Sequence, residues 1–279
     1  MKQPAIAPGA VNLRRAYFEC RHGQLHVRTA FPSSGGFDER TPLLCLHQSP
    51  LSSRSFVALL PELGTDRSVY ALDTPGYGES DPPAPRAAPP AIADYAASVG
   101  EFLDALRLRE VDVLGHHTGA AVAAELAIAR PAQVRRLVLV SPPVHTTQER
   151  GAFDAQPWPL PSAADGSHLQ REWQRSVASR GPGMTLEQLA AEFADKLHNG
   201  PHACLGMRAT QHWPAALRLK LVRQPALVLR PKDELWEASG RARPLMPGAE
   251  WQDLPDCGAG LFTVATAPIA ARVRKFLDR

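Results

Sequence analysis

The chain has 279 residues, 44% of them hydrophobic and 21% charged, proportions that exclude a disordered or fibrous protein. A chain of this length buries roughly 70 to 75% of its unfolded surface, so stability requires neither a disulfide framework nor a structural metal. Lys and Arg outnumber Asp and Glu by 31 to 28 and are scattered along the chain, so no nucleic-acid partner is expected.

No uncharged run reaches the roughly 20 apolar residues of a membrane span. The opening MKQPAIAPGAVNLRRAYFEC lacks the apolar centre of a secretory peptide. Cys20, Cys45, Cys204 and Cys257 are far apart and read as free thiols in a reducing compartment, so a cytoplasmic location away from membranes is expected.

In chain order, strands are predicted at 16–22 and 24–31, then at LLCLH (43–47), SVYALD (68–73) and VDVLG (111–115). Further strands follow at RRLVLVS (135–141), ALVLR (226–230) and EWQDL (250–254). Helical periodicity fills 91–107, 118–129 and 266–278. This alternation of valine- and leucine-rich strands with helices is the pattern of βαβ units and a mainly parallel sheet.

Between 144 and 221 the alternation stops, and amphipathic stretches such as HLQREWQRSVA and TLEQLAAEFADKLH take over. A helical insertion is expected there, with Thr185 and Gln188 as a capping box opening the second stretch. The expected division is a core of 1–143 and 222–279 with a helical cap at 144–221. Two proline-rich stretches, PPAPRAAPP at 82–90 and AQPWPLPS at the cap entrance, read as stiff connectors.

Ligands of open α/β sheets bind beyond the carboxyl ends of the strands, so the residues following each strand are the candidates. They are His47-Gln48-Ser49-Pro50, Asp73 to Asp81, Gly115-His116-His117-Thr118-Gly119, Ser141 to His145, and Lys232-Asp233-Glu234.

In their order, LCLHQSP, ALDTPGYGESD, VLGHHTGAA, RRLVLVSPP and ALVLRPKDE resemble the α/β-hydrolase fold family over roughly residues 15–279. The resemblance implies about eight mostly parallel strands with helices on both faces and a helical cap. It also implies a nucleophile elbow at Gly115 to Gly119, and an oxyanion hole from the backbone N–H groups of Gln48 and Thr118.

The sequence departs from the family at two positions. The elbow centre, where the family carries its nucleophile, is His117, and the position of the family's histidine after the last strand is Ala259. An ordinary Ser-His-acid relay therefore cannot be assembled. An imidazole reaches farther than a serine hydroxyl, so His117 is expected to meet an acid after the seventh strand directly. Glu234 better fits the family's register, and Asp233 lies one residue earlier.

The expected function is a cofactor-free enzyme acting on a small carbonyl-containing molecule. His117 serves as general base, for hydrolysis or for a lyase-type cleavage of a C–C bond. His47, His145 and Trp213 are candidates for substrate contact, with His212, Trp158 and Trp236 as further cap and loop candidates. His116 is read as structural, and Asp73 with its PGYG turn likewise. A metal site from His47, His117, His145 and an acid at 233–234 lacks the tight spacing of a zinc helix, and no metal is assigned. No phosphate-cradling loop or dinucleotide fingerprint implies a nucleotide cofactor. The competing class is a ligand-binding protein that has lost catalysis with its Ser and His.

Overall fold

The computed structural model describes residues 11–33, 39–83, 89–156 and 162–279. Trp158 and parts of both proline-rich connectors lie outside these residues.

The strands are β1 (Val11–Cys20), β2 (Gly23–Pro32), β3 (Leu43–Leu46), β4 (Val69–Leu72), β5 (Val111–His116), β6 (Val134–Val140), β7 (Ala226–Pro231) and β8 (Glu250–Leu254). They form one sheet in the order β1-β2-β4-β3-β5-β6-β7-β8. The hairpin β1–β2 is antiparallel and joins β4 antiparallel, and every other pairing is parallel. The first strand begins earlier than its periodicity suggested. In VNLRR two partly buried residues are followed by three exposed ones at the sheet edge, where polar side chains cost nothing, so no apolar alternation marks the segment.

The helices are α1 (Leu59–Leu63), α2 (Ile92–Ala105), α3 (Thr118–Ala129), α4 (Thr147–Asp154), α5 (Ser167–Ala178), α6 (Leu186–His198), α7 (Leu205–His212), α8 (Ala215–Arg218), α9 (Trp236–Gly240), α10 (Leu261–Val264) and α11 (Thr266–Leu277). Successive strand residues point to opposite faces, so the central strands feed two cores. Val113, Leu137 and Leu139 pack with Tyr95, Phe102 and the alanines of α3. Leu114, Val138 and Leu227 pack on the other face with Phe56, Val273 and Phe276. Burial on both faces explains why these strands read as continuous apolar runs. No helix among the described residues is long and apolar enough to cross a membrane.

Between β6 and β7 the described chain holds helices α4 to α8 and no strand. Thr185 caps α6 reciprocally: its Oγ1 accepts the Gln188 N–H at 3.2 Å, and Gln188 Oε1 accepts the Thr185 N–H at 2.9 Å. Polar contacts pin these helices to the loops at the strand ends. Asp195 accepts the N–H and hydroxyl of Ser52 at 2.9 and 2.8 Å, and Asn199 Oδ1 accepts the Gly78 N–H at 2.9 Å. The hydroxyl of Tyr77 accepts the Gly206 N–H at 2.7 Å. The PGYG turn is thus a docking point for the helical segment.

Candidate active site

At the end of β5 the chain turns sharply into α3, and His117 occupies the turn with φ +50° and ψ −110°. Only tight backbone approaches allow this. A Cβ on Gly115 would stand 2.2 Å from the Gly119 carbonyl oxygen, and one on Gly119 would stand 2.0 Å from that of Leu46. A positive φ in a non-glycine residue costs about 1–3 kcal/mol. Its effect is to thrust the His117 side chain out beyond the carboxyl ends of the strands.

The imidazole meets two acids. Its Nε2 lies 2.9 Å from Asp233 Oδ2, and its Nδ1 lies 3.6 Å from Glu234 Oε1. Register favoured Glu234, but the hydrogen-bonded acid is Asp233, whose side chain is 3% exposed against 60% for Glu234. The shorter acid is turned inward because its Oδ1 accepts the Leu235 N–H at 2.9 Å, an Asx-type turn that aims Oδ2 at the ring.

Ser141 completes the support. It follows β6 with φ +48°, is fully buried, and donates its hydroxyl to Asp233 Oδ2 at 2.5 Å. Burial is the largest influence on Asp233 and pushes its pKa up. The adjacent His117 charge and the hydrogen bonds from His117 and Ser141 outweigh it, holding the carboxyl down at about 2. Burial likewise pulls the His117 pKa down. The charges of Asp233 and Glu234 and the Asp233 hydrogen bond reverse this, so the net shift is upward.

A cavity of about 110 Å³ opens on this pair. Its floor includes Gln48, His117, Asp233 and Ala259, and α6 contributes Glu192 and Lys196 to its roof. Burial pushes the Glu192 carboxyl up to about 7, with Asp195 and Glu234 adding to the rise and Lys196 opposing it. The N–H groups of Gln48 and Thr118 have no acceptor among the described residues. Thr118 itself is tied to α7 by a 3.2 Å hydrogen bond from Thr210.

The remaining candidates are placed elsewhere. His47 is buried with both ring nitrogens satisfied: Nε2 accepts the Thr74 N–H at 3.0 Å, so the proton sits on Nδ1, which donates to the Gln48 carbonyl at 2.9 Å. It shapes the Gln48 loop rather than lining the cavity. His145 is half-buried and does not line the cavity, and burial pulls its pKa down. Trp213 donates its indole N–H to Glu125 at 3.2 Å and lines a separate cavity of about 720 Å³ with Arg208 and His212. Trp236 lies under the Arg230 guanidinium at 3.6 Å.

His116, read as structural, lines the cavity. Its ring centroid is 4.2 Å from that of His117, it packs nearly perpendicular to Phe262, and its buried Nδ1 has no hydrogen-bond partner among the described residues. Burial holds its pKa well below the ordinary value, so the ring is neutral.

Two contributors escaped sequence reasoning. Ser141 sat in the list of strand-end residues, but nothing in sequence ties it to Asp233. Glu192 carried a usable signal: with Leu189, Phe193 and Lys196 it repeats at helical spacing on one face of an amphipathic helix, an acid on an inward stripe.

A sequence model described as alpha/beta hydrolase fold matches residues 41–198. The dihydrolipoyllysine-residue acetyltransferase component of the acetoin cleaving system of Cupriavidus necator is 34% identical over 116 residues, 42% of this chain and 30% of that protein. The 2-hydroxymuconate semialdehyde hydrolase of a Pseudomonas species is 36% identical over 119 residues, 41% of this chain and 40% of that protein. The matches thus span less than half of these curated relatives. Among solved structures, the enol-lactonase from Burkholderia xenovorans superposes with a TM-score of 0.78 at 16% identity, covering 95% of this chain and 100% of that one. At that identity the likeness is one of fold.

Proposed function

Since the chain belongs to the α/β-hydrolase fold family, we propose that it is a cofactor-free enzyme of that fold, cleaving a small carbonyl compound with His117 as general base. The observation that carries this reading is the 2.9 Å hydrogen bond between His117 Nε2 and Asp233, on a ring that also lines a polar cavity. Asp233 fixes the ring and the tautomer: with the proton on Nε2, the lone pair on Nδ1 is free to accept one.

Two chemistries start from that lone pair. Nδ1 removes a proton from water, which attacks the carbonyl, or removes it from the substrate itself, so that a C–C bond breaks. The oxyanion formed in either course is met by the N–H groups of Gln48 and Thr118. Glu192 faces the same space and, with its pKa raised to about 7, holds a proton near neutrality that it can deliver to the departing group. The helices between β6 and β7 act as a cap, with α6 over the base, and limit access to small molecules. A relative named for a semialdehyde supports a carbonyl substrate.

The test is a screen of esters, lactones and β-dicarbonyl compounds with H117A beside the wild type. Turnover in H117A should fall by about 10²–10⁴, the share general acid–base catalysis supplies. Full turnover in H117A overturns the base. Saturable binding without turnover in the wild type would instead make this cleft one that only binds.

A further inference from the structure

The buried His116 ring, whose Nδ1 has no hydrogen bond among the described residues, lies 4.2 Å from the ring of a histidine already in contact with an acid. His116, His117 and Asp233 each offer one ligating atom, and these atoms lie within 4.8 Å of one another. We propose that the three residues bind a divalent transition-metal ion of the zinc class, and that its occupancy turns off His117 as a base. The site goes beyond the activity proposed above. Its metal affinity stands whether or not His117 is catalytic.

The donor set suits the ion. Two neutral imidazoles and a carboxylate match zinc, cobalt and nickel, whereas calcium and magnesium prefer oxygen alone. Ligand bonds of about 2.0–2.2 Å put two donors on one ion roughly 3.0–3.6 Å apart. His117 Nε2 and Asp233 Oδ2 stand at 2.9 Å, close to that spacing. His116, whose donor lies within 4.8 Å of the other two, completes the set by turning inward. Its buried Nδ1 has no hydrogen bond among the described residues to surrender in doing so. Asp233 is held from behind by the Ser141 hydroxyl and the Leu235 N–H, the outer contacts that orient a metal-binding carboxylate. His47 and His145 contribute nothing: the first is saturated, and the second does not line this cavity.

The effect on the base follows from lone pairs. A metal ion takes the Nε2 electron pair of His117, so the proton that Nε2 carried in its hydrogen bond to Asp233 is released to solvent and Nδ1 takes up one in its place. A ring protonated at Nδ1 and metallated at Nε2 has no lone pair left to accept a proton. Ion and base therefore compete for one imidazole.

Zinc chloride titrated calorimetrically into chelator-treated protein should show one saturable equivalent. Cobalt(II) should give ligand-field absorption with the same stoichiometry. H116F retains a ring against Phe262 and removes the donor, and its zinc affinity should fall at least tenfold. H116N serves as a second variant, and thermal melts verify that each folds. Wild-type turnover should fall in step with zinc occupancy, while the rate of H116F, whatever its zinc-free value, should not respond over the same range. Absence of a saturable equivalent, or wild-type affinity in folded H116F and H116N, overturns the site. H117A separates the two ideas: undiminished turnover refutes the base, and undiminished zinc affinity refutes the metal site.

Discussion

Among the described residues are two buried histidine–aspartate pairs of nearly identical length. His26 Nδ1 lies 2.8 Å from Asp73 Oδ2, and His117 Nε2 lies 2.9 Å from Asp233 Oδ2. Both carboxyls are held at about 2, each against the opposing pull of burial. Their surroundings differ. Asp73 also accepts the backbone N–H groups of Ser53 and Glu79 at 2.6 and 2.9 Å, and so ties the loop after β3 to the turn after β4. His26 sits in the ladder of β2 with its ring against Tyr17. His117 stands instead on a positive-φ turn beside a cavity. Pair geometry alone, then, does not distinguish a fastening from a reactive centre. Access and backbone strain do.

The sharpest way to break this comparison is to damage each acid. D233N should lower turnover by about 10²–10⁴, since it removes the acceptor that sets the His117 tautomer. D73A should instead destabilise the fold by about 3–5 kcal/mol, the usual cost of stranding one member of a buried pair. Urea unfolding and steady-state rates measured on both variants check this. A D233N protein as unstable as D73A, with unchanged turnover, would make the two pairs equivalent.

A second difference is in pH. Because the His117 pKa is raised, its base form accumulates only as pH climbs above 6.5, and the acid limb of kcat/KM should have its midpoint above that value. Stability from the charged His117–Asp233 pair is full below 6.5 and fades as pH rises through the raised value. Both aspartates act in the opposite sense. Their contribution is present above about 3.9, the unfolded value, and is lost as pH falls towards about 2. Denaturation followed from pH 8 to pH 2 should resolve the two windows.

The smallest expected effect belongs to Ser141. S141A removes one hydrogen bond to a charged acceptor, worth about 1.5–3 kcal/mol. With His117 still paired to Asp233, kcat should fall by roughly tenfold and KM should hold, because Ser141 acts through Asp233. A change confined to KM would place Ser141 against the substrate.

Sequence reasoning located all eight strands of the described residues and the elbow, because strand alternation and the Gly115–Gly119 frame are local patterns. It found the loop carrying the acid but favoured Glu234. The outcome depended on which side chain could close a turn onto the Leu235 N–H, a matter of one methylene. His47 and Trp213 were legible as residue types in the right loops, yet the Thr74 N–H captured one and Glu125 the other. Such partners lie 27 and 88 positions away, beyond any periodicity. The roof residue Glu192 was legible as an acid on the inward stripe of α6, but the cavity that this stripe faces is formed by loops distant in sequence.

The backbone at His117 has an evolutionary corollary. Glycine would relieve its positive φ, and H117G should therefore be more stable than H117A while being equally inert. Stability and chemistry pull this position in opposite directions. A lineage released from any need for the imidazole would drift downhill toward glycine, which lies two nucleotide changes from a histidine codon. The histidine occupies one of the strained seats in the fold, and a directed-evolution screen for thermal resistance alone should evict it early.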